Sequence, residues 1–430
     1  MPAKISSGAR FRAIFAGSAG NLVEWFDWYT YSAAGLYFAP IFFPAANRTS
    51  QLLQTAAVFA VGFFARPVGA WMMGLYADRV GRKAAMTLSV SMMCGGSLII
   101  AATPGAAVIG MAAPVILVLA RVLQGLSVGG EYGASATYLS EMAGRAHRGL
   151  WSSFSYVTLI GGQLTALTVL IILQHLLSRG AMAQWGWRVP FVIGAALAVV
   201  AYWMRRRMQE SLAFLPPSRA GGERGSLRQL ALQYPREVAV VLGLSAGGSL
   251  IFYVYTTYMQ KFLVNTAGFS LNQSTEISAA SLVGFMLAQP FFGWLSDQVG
   301  RRALMLVAFG AAALLTWPLM SALARTQSVG TAFGLILTAL MIQSCYTSIS
   351  AVVKAELFPS SVRALGVAFP YAIANAAFGG TAEYFALWFK KAGFESGFYV
   401  YASALAFVSF LVALGMKDTR RSSKIIDNRD

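Results

Sequence analysis

The sequence predicts an all-α membrane protein, with twelve transmembrane helices in two pseudo-symmetric bundles of six. Three observations predict it. Hydrophobic residues make up 57% of the 430 and charged residues only 11%, a balance foreign to ordinary water-soluble globules. Apolar stretches close to the ~20 residues a bilayer demands recur twelve times, too long and continuous for the short alternating segments of a transmembrane barrel. The loop GLYADRVGRK at 74–83 also returns as GWLSDQVGRR at 293–302, 219 positions later.

The first span is expected at 14–41. Lys4, Arg10 and Arg12 precede it much as they would a signal peptide, but the run is too long for one and carries Glu24 and Asp27, so it stays as a helix. The second span, 52–73, ends at the first copy of the repeated loop. Spans three and four lie at 85–103 and 113–138, and EMAGRAHRG at 141–149 leads to the fifth at 150–176. QWGWRVPF opens the sixth, 189–204. Residues 205–236, basic and carrying Pro216, Pro217, Gly221 and Gly222, form a connecting loop. The remaining spans fall at 237–263, 275–295, 303–324, 330–357, 364–389 and 396–416, with ELFPSSVRALG at 356–366 a looser echo of the 141–149 loop. The chain divides into a first bundle (1–204), a central loop (205–236), a second bundle (237–416) and a tail (417–430).

Charge sets the orientation. With both termini and alternate loops on one side, that side holds 23 of the 33 Lys and Arg, while the other holds Arg48, Arg179, Arg188, Lys261, Arg325, Lys390 and Lys391. Both termini are therefore expected in the cytoplasm, on the inner face of a cytoplasmic membrane. The net charge of +17 reflects this bias beside anionic lipid, and no nucleic-acid-binding motif accompanies it. Cys94 and Cys345 fall within spans, which argues against a structural disulfide, and no spacing suggests a metal or cofactor site. GLSVG at 125–129 and GLSAG at 243–247 match a hydrolase elbow only by composition, because both lie inside spans where the strand-to-helix turn is missing. An enzyme is not expected.

Arg66, Arg121 and Lys354 remain inside spans, together with Glu24, Asp27, Glu131 and Glu383. Charge at bilayer depth is costly unless it faces a partner or a wet cavity, so these groups trace a polar path. Asp27 lies about 14 residues, or ~21 Å, along the first span, near mid-bilayer, with Glu24 one turn shallower. Arg121, Gln124, Val128 and Tyr132 share one face of the fourth span, with Glu131 on its edge, so Arg121 can meet Asp27. Two six-span repeats imply a site at their interface near midplane.

The repeated Gly-x-x-x-Asp-x-x-Gly-Arg loop resembles the signature of the major facilitator superfamily. GNLVEWFDWYTYS, FARPVGAWMMG, RVLQGLSVGGEYGASATYLSE and QWGWRVPF are similar, more narrowly, to the metabolite:proton symporters. TLIGGQLTAL, FYVYTTYMQKFLVNTAG, YTSISAVVKAELFPSSVRALGV and AFGGTAEYFAL resemble the members of that family that carry alpha-ketoglutarate. Gln298 departs from the signature, which usually has a basic residue after the Asp. The resemblance implies proton-coupled uptake of alpha-ketoglutarate by a monomer working through alternating access. Citrate, another dicarboxylate or a zwitterionic osmolyte is the alternative cargo, and a non-translocating nutrient receptor is the alternative class.

For the residues, the resemblance implies a conformational latch at Gly74, Asp78, Arg79, Gly81 and Arg82 and at Gly293, Asp297, Gly300 and Arg301. It implies a proton-coupling pair of Asp27 and Arg121, with Glu24 and Glu131 nearby; a static buried salt bridge is the competing reading. A dicarboxylate calls for cations that grip each end, for which Arg66, Arg121 and Lys354 are candidates. A pairing of Arg66 with Glu131, or of Lys354 with Glu356 or Asp297, would occupy them instead. Tyr31, Tyr156, Gln163, Tyr253, Thr257, Tyr346 and Asn375 are the neutral candidates. Glu383 is expected to pack or gate on the eleventh span.

Overall fold

The computed structural model describes residues 7–45, 47–80, 82–128, 140, 144–206 and 227–425, with backbone only for 7–20, 74, 75, 77–79, 82, 83, 85, 86, 145, 201 and 203–206. Among the described residues every expected span is helical. The first six are α1 (Ser7–Phe42), α2 (Arg48–Val80), α3 (Arg82–Ala102), α4 (Ala112–Val128), α5 (Arg148–Leu176) and α6 (Val189–Arg206). The second six are α7 (Pro235–Asn265), α8 (Leu271–Val299), α9 (Arg301–Leu323), α10 (Val329–Leu357), α11 and α12 (Glu395–Gly415). The eleventh, α11, runs as Arg363–Ala374, a π turn at Asn375–Gly379, and Ala382–Lys391. A second π turn, Val254–Tyr258, interrupts α7.

The ends follow local chemistry. Ser270 and Gln273 form a reciprocal capping box at the start of α8, and the Ser328 side chain caps α10, each satisfying N–H groups that a helix start leaves orphaned. Arg188 donates from Nε to Ala101 O at 2.8 Å and from its terminal nitrogen to Thr103 O at 2.9 Å. It thus closes the carbonyl end of α3, while Trp187 packs on Phe38 and Phe42 of α1. That accounts for the Trp-Arg of QWGWRVPF.

The central stretch and the tail gain detail. The stretch read as one loop from 205 to 236 begins while α6 is still helical and ends in a short helix, Leu227–Gln233. Leu230 of that helix is buried in one apolar cluster with Val241, Phe358 and Val362, which holds it against the second bundle. Residues 207–226 lie outside the described residues. The tail, as far as Ile425, lies across the mouth of the bundle and bonds to several helices.

Large apolar side chains such as Phe64, Trp71, Leu119, Leu287 and Leu314 face outward, as lipid-facing surfaces require. Inside, helices meet at small residues. A β carbon at Gly293 on α8 would lie 2.6 Å from Gly149 O on α5, so both positions must stay bare for the halves to touch there. Gly125 on α4 lies equally tight against Gly62 O on α2. Contacts between halves recur elsewhere: Tyr29 donates to Thr256 O at 2.9 Å, Asn265 to Thr49 Oγ1 at 3.3 Å, and Gln174 to Thr275 Oγ1 at 3.0 Å.

Candidate functional site

Trp25, Trp28 and Tyr31 succeed one another every three residues on α1, and Phe59, Phe63 and Arg66 at four and three on α2. Both spacings keep a helix on one face, and the two faces meet. Trp28 packs edge-on against Phe63 with ring centres 4.9 Å apart, and Tyr31 stacks with Phe59. Two guanidinium groups enter this aromatic wall. The Arg66 and Arg121 guanidinium carbons each lie 3.9 Å from the centre of the Trp28 ring. Arg66 also covers Phe63 at 4.1 Å, and Arg121 covers Tyr31 at 4.5 Å. The ring faces offset part of the cost of burying the cations. They cannot satisfy the N–H groups: among the described residues, Nε and one terminal nitrogen of each arginine have no hydrogen-bond acceptor.

Asp27 points into a different pocket of the first bundle and is 1% exposed. Ser97 of α3 donates to its Oδ1, and Gln124 of α4 donates to its Oδ2 at 2.6 Å. A β carbon at Gly194 of α6 would sit 2.8 Å from Asp27 Oδ1, so α6 closes the pocket. The expected direct meeting of Asp27 with Arg121 does not occur. Gln124 stands between them, its Oε1 accepting from Arg121 at 2.7 Å while its Nε2 serves Asp27. One turn after Arg121, its amide reaches the carboxylate first and leaves the guanidinium to the rings. The result is a relay from Arg121 through Gln124 to Asp27 and Ser97.

The charge inventory of the spans needs correction. Lys261, counted above with the outer loops, is 1% exposed in α7, and its Nζ lies 2.5 Å from Glu383 Oε1 on α11, itself 2% exposed. The same Nζ donates to Ser32 Oγ of α1 at 2.9 Å. Glu383 is therefore not a lone acid. Lys261 falls inside the expected seventh span, 237–263, so it belonged with the buried charges rather than with the loops.

Other candidates disperse. Tyr253 packs edge-on against Phe63 and lies beside the Arg66 guanidinium. Asn375, first residue of the α11 π turn, lies with Tyr253 around Gly379, so both join the aromatic wall. Tyr31 donates to Thr55 O at 3.2 Å, and Thr257 lends its carbonyl to Ser32 at 3.5 Å. Tyr156 packs edge-on against Phe252, and Gln163 is buried with neither amide atom bonded among the described residues. Tyr346 belongs instead to an apolar cluster within the second bundle, against Phe309. Lys354 is buried with its Nζ 3.9 Å from the Tyr371 ring centre, while Glu356 and Asp297 are held by Arg301. Glu24 is buried a turn from Asp27. Glu131 lies outside the described residues.

At the mouth opposite the outer loops, Asp297 accepts from the backbone N–H of Gly149 at 2.9 Å and of Leu150 at 3.0 Å, and from Arg301 at 2.8 Å. An acid of α8 thus caps the positive start of α5 in the other half. Arg301 reaches on to Glu356, whose Oε2 also accepts from Thr419 at 2.6 Å. Asp418 accepts from the Arg301 backbone, Arg420 donates to Gln298 O, and Lys424 donates to Glu237 at 2.7 Å. Gly293 and Gly300 lie at this junction. The matching loop of the first half, Gly74, Asp78, Arg79, Gly81 and Arg82, lies outside the described residues or is described as backbone only.

Sequence reasoning passed over Trp28, Ser32, Ser97 and Lys261. The three-residue spacing of Trp25, Trp28 and Tyr31 could have flagged the wall, and Lys261 was visible inside an apolar run. Nothing in the sequence aims Ser97 at Asp27.

Comparison with known proteins bears on this geometry. The profile described as "Sugar (and other) transporter" matches residues 13–220 and 206–424. The alpha-ketoglutarate permease of Escherichia coli K12 is 55% identical over 405 residues, covering 94% of this chain and 93% of that protein. The citrate-proton symporter of Salmonella typhi is 32% identical, covering 87% and 86%. Among solved structures, a D-xylose-proton symporter superposes with a TM-score of 0.75 at 18% identity, covering 95% and 98%. The partially occluded inward-open xylose transporter XylE of E. coli gives 0.73, also at 18%, covering 93% and 96%.

Proposed function

The chain belongs to the sugar (and other) transporter family within the major facilitator superfamily, and from that premise we propose that it imports alpha-ketoglutarate together with protons across the cytoplasmic membrane. It is a multi-pass membrane transporter and not an enzyme. Both termini face the cytoplasm in this reading. Residues 1–204 and 237–416 rock against each other about the aromatic wall, and the protein works as a monomer.

One observation carries the reading of the site: two buried guanidinium groups share the Trp28 ring and, among the described residues, keep unmet N–H donors. A buried donor without an acceptor is costly, and a carboxylate can take two parallel bonds from one guanidinium. An organic dianion supplies that chemistry, and a zwitterion supplies half of it. Similarity to the alpha-ketoglutarate permease over nearly the whole chain supports the choice among dianions.

Protons enter through Asp27. Gln124 links its carboxylate to Arg121, and movement of α4 against α1 would break the relay and favour proton uptake in a dry pocket. The membrane potential gives this purpose. Moving negative charge inward against an inside-negative potential costs about 2.3 kcal/mol per charge per 100 mV, so a dianion needs accompanying protons to accumulate.

Proteoliposomes with an alkaline interior test the function. Labelled alpha-ketoglutarate should accumulate and a protonophore should release it, with citrate and betaine competing weakly. Preference for betaine, or accumulation indifferent to the pH gradient, rejects it.

A further inference from the structure

The pair formed by Lys261 and Glu383 has no part in the mechanism above, although it is the closest charge contact among the described residues. It sits where the halves must separate. Lys261 belongs to α7 and Glu383 to α11, and Ser32 of α1 enters between them, accepting from Lys261 Nζ at 2.9 Å and lying 3.4 Å from Glu383 Oε2. Among the described residues, the two helices that carry the pair are also the two that hold π turns. Val254–Tyr258 ends three residues before Lys261, and Asn375–Gly379 ends four before Glu383. Such turns accompany functional sites because they free backbone groups from the helical ladder, and here the carbonyls of Thr256 and Thr257 accept from Tyr29 and Ser32 of the other half.

A buried ion pair contributes little to stability compared with apolar residues of the same size, so bracing alone is a weak reason for it. Charge balance offers a stronger one. The arginines of the aromatic wall meet one carboxylate of a dianion, and the second needs a cation. Lys261 is within reach of the electrostatic influence of Arg121, but it is already neutralised. Adding a carboxylate beside Glu383 would bury surplus negative charge unless Glu383 gave up its own.

We propose that Lys261 and Glu383 form an exchangeable pair: one substrate carboxylate replaces Glu383 at Lys261 Nζ, and the displaced Glu383 binds a proton from the outer aqueous phase. The proposal rests on the dianion–proton reading above and deepens it. The exchange balances, since Lys⁺ with Glu⁻ becomes Lys⁺ with a substrate carboxylate beside a neutral acid. That acid can still donate to Ser32 Oγ. The other titratable groups facing the pair are Tyr29 and Tyr31 of α1 and Tyr258 of α7, with Arg121 of α4 further off. The tyrosines are uncharged near neutral pH, so Glu383 is the acid that must respond. Together with Asp27 it would make import of a dianion electroneutral.

Calorimetric titration of the purified protein with alpha-ketoglutarate, in buffers of different ionisation enthalpy, counts the protons taken up on binding. Wild type should take up more than one. Asp27→Asn and Glu383→Gln should each retain part of that uptake, and the double variant should show none. Lys261→Met should weaken binding of alpha-ketoglutarate at least tenfold and of a 2-oxo monocarboxylate much less. A wild-type count of one or fewer overturns the proposal without any variant having to fold, as does a Glu383→Gln count equal to wild type. If alpha-ketoglutarate binds and exchanges normally but the count ignores Glu383, only the exchange fails. If it does not bind at all, the substrate reading fails with it.

Discussion

Gln124 joins the two groups that would otherwise have to move together. It accepts from Arg121 at 2.7 Å and donates to Asp27 at 2.6 Å, and hydrogen bonds to charged partners contribute about 1.5–3 kcal/mol each. Gln124→Leu keeps the volume and removes both bonds, so the pH-driven accumulation ratio of alpha-ketoglutarate should fall by roughly tenfold or more. Unchanged accumulation would show that the relay is idle. Asp27→Asn should abolish accumulation and leave counterflow exchange partly intact, because the neutral side chain imitates the protonated state; full pH-driven accumulation by this variant would remove Asp27 from the mechanism. Trp28 is the residue the two arginines share. Replacing it with Leu removes contacts of about 1–2 kcal/mol, which should raise the KM for uptake roughly 5- to 30-fold with a smaller change in maximal rate.

Between elements, the informative junction is the end of α8 against the start of α5. Asp297 caps the α5 backbone while paired with Arg301, and the approach depends on Gly149 and Gly293. Removing one member of a buried pair costs about 3–5 kcal/mol because its partner is left uncompensated. Asp297→Asn should therefore favour the state in which this mouth is open. A cysteine introduced at Ser153, which faces Gly293 across this junction, in a background lacking Cys94 and Cys345, reports it through labelling by a membrane-impermeant thiol reagent added on the side of this mouth. Faster labelling is expected, and unaltered labelling would mean that the cap does not hold the mouth shut. The repeated loop motif was legible in the sequence, but its partner was not. Gly149 and Leu150 offer only backbone N–H groups, which carry no residue signature.

Across the whole molecule, the tail as far as Ile425 bonds to the loop between α8 and α9 and to α7 and α10, and so straps the same mouth. Truncation after Met416 should speed labelling at the same reporter, and unaltered labelling would mean that the tail does not hold the mouth. Spans were readable because a bilayer accepts only long apolar helices. The central stretch was less so, because the short helix at Leu227–Gln233 is held by burial of Leu230 rather than by length or periodicity.

By itself the sequence determined that this chain crosses a membrane twelve times, which half repeats which, and that Glu24, Asp27, Glu383, Arg66 and Arg121 are stranded at depth. These follow from hydropathy and recurrence, properties that survive without knowing who neighbours whom. Only the tertiary structure decided that Gln124 stands between Asp27 and Arg121, that Trp28 serves two cations, and that Lys261 is a buried partner of Glu383. Each depends on which faces of separate helices meet, and that is set by packing of small residues and rings across the bundle rather than by any one helix.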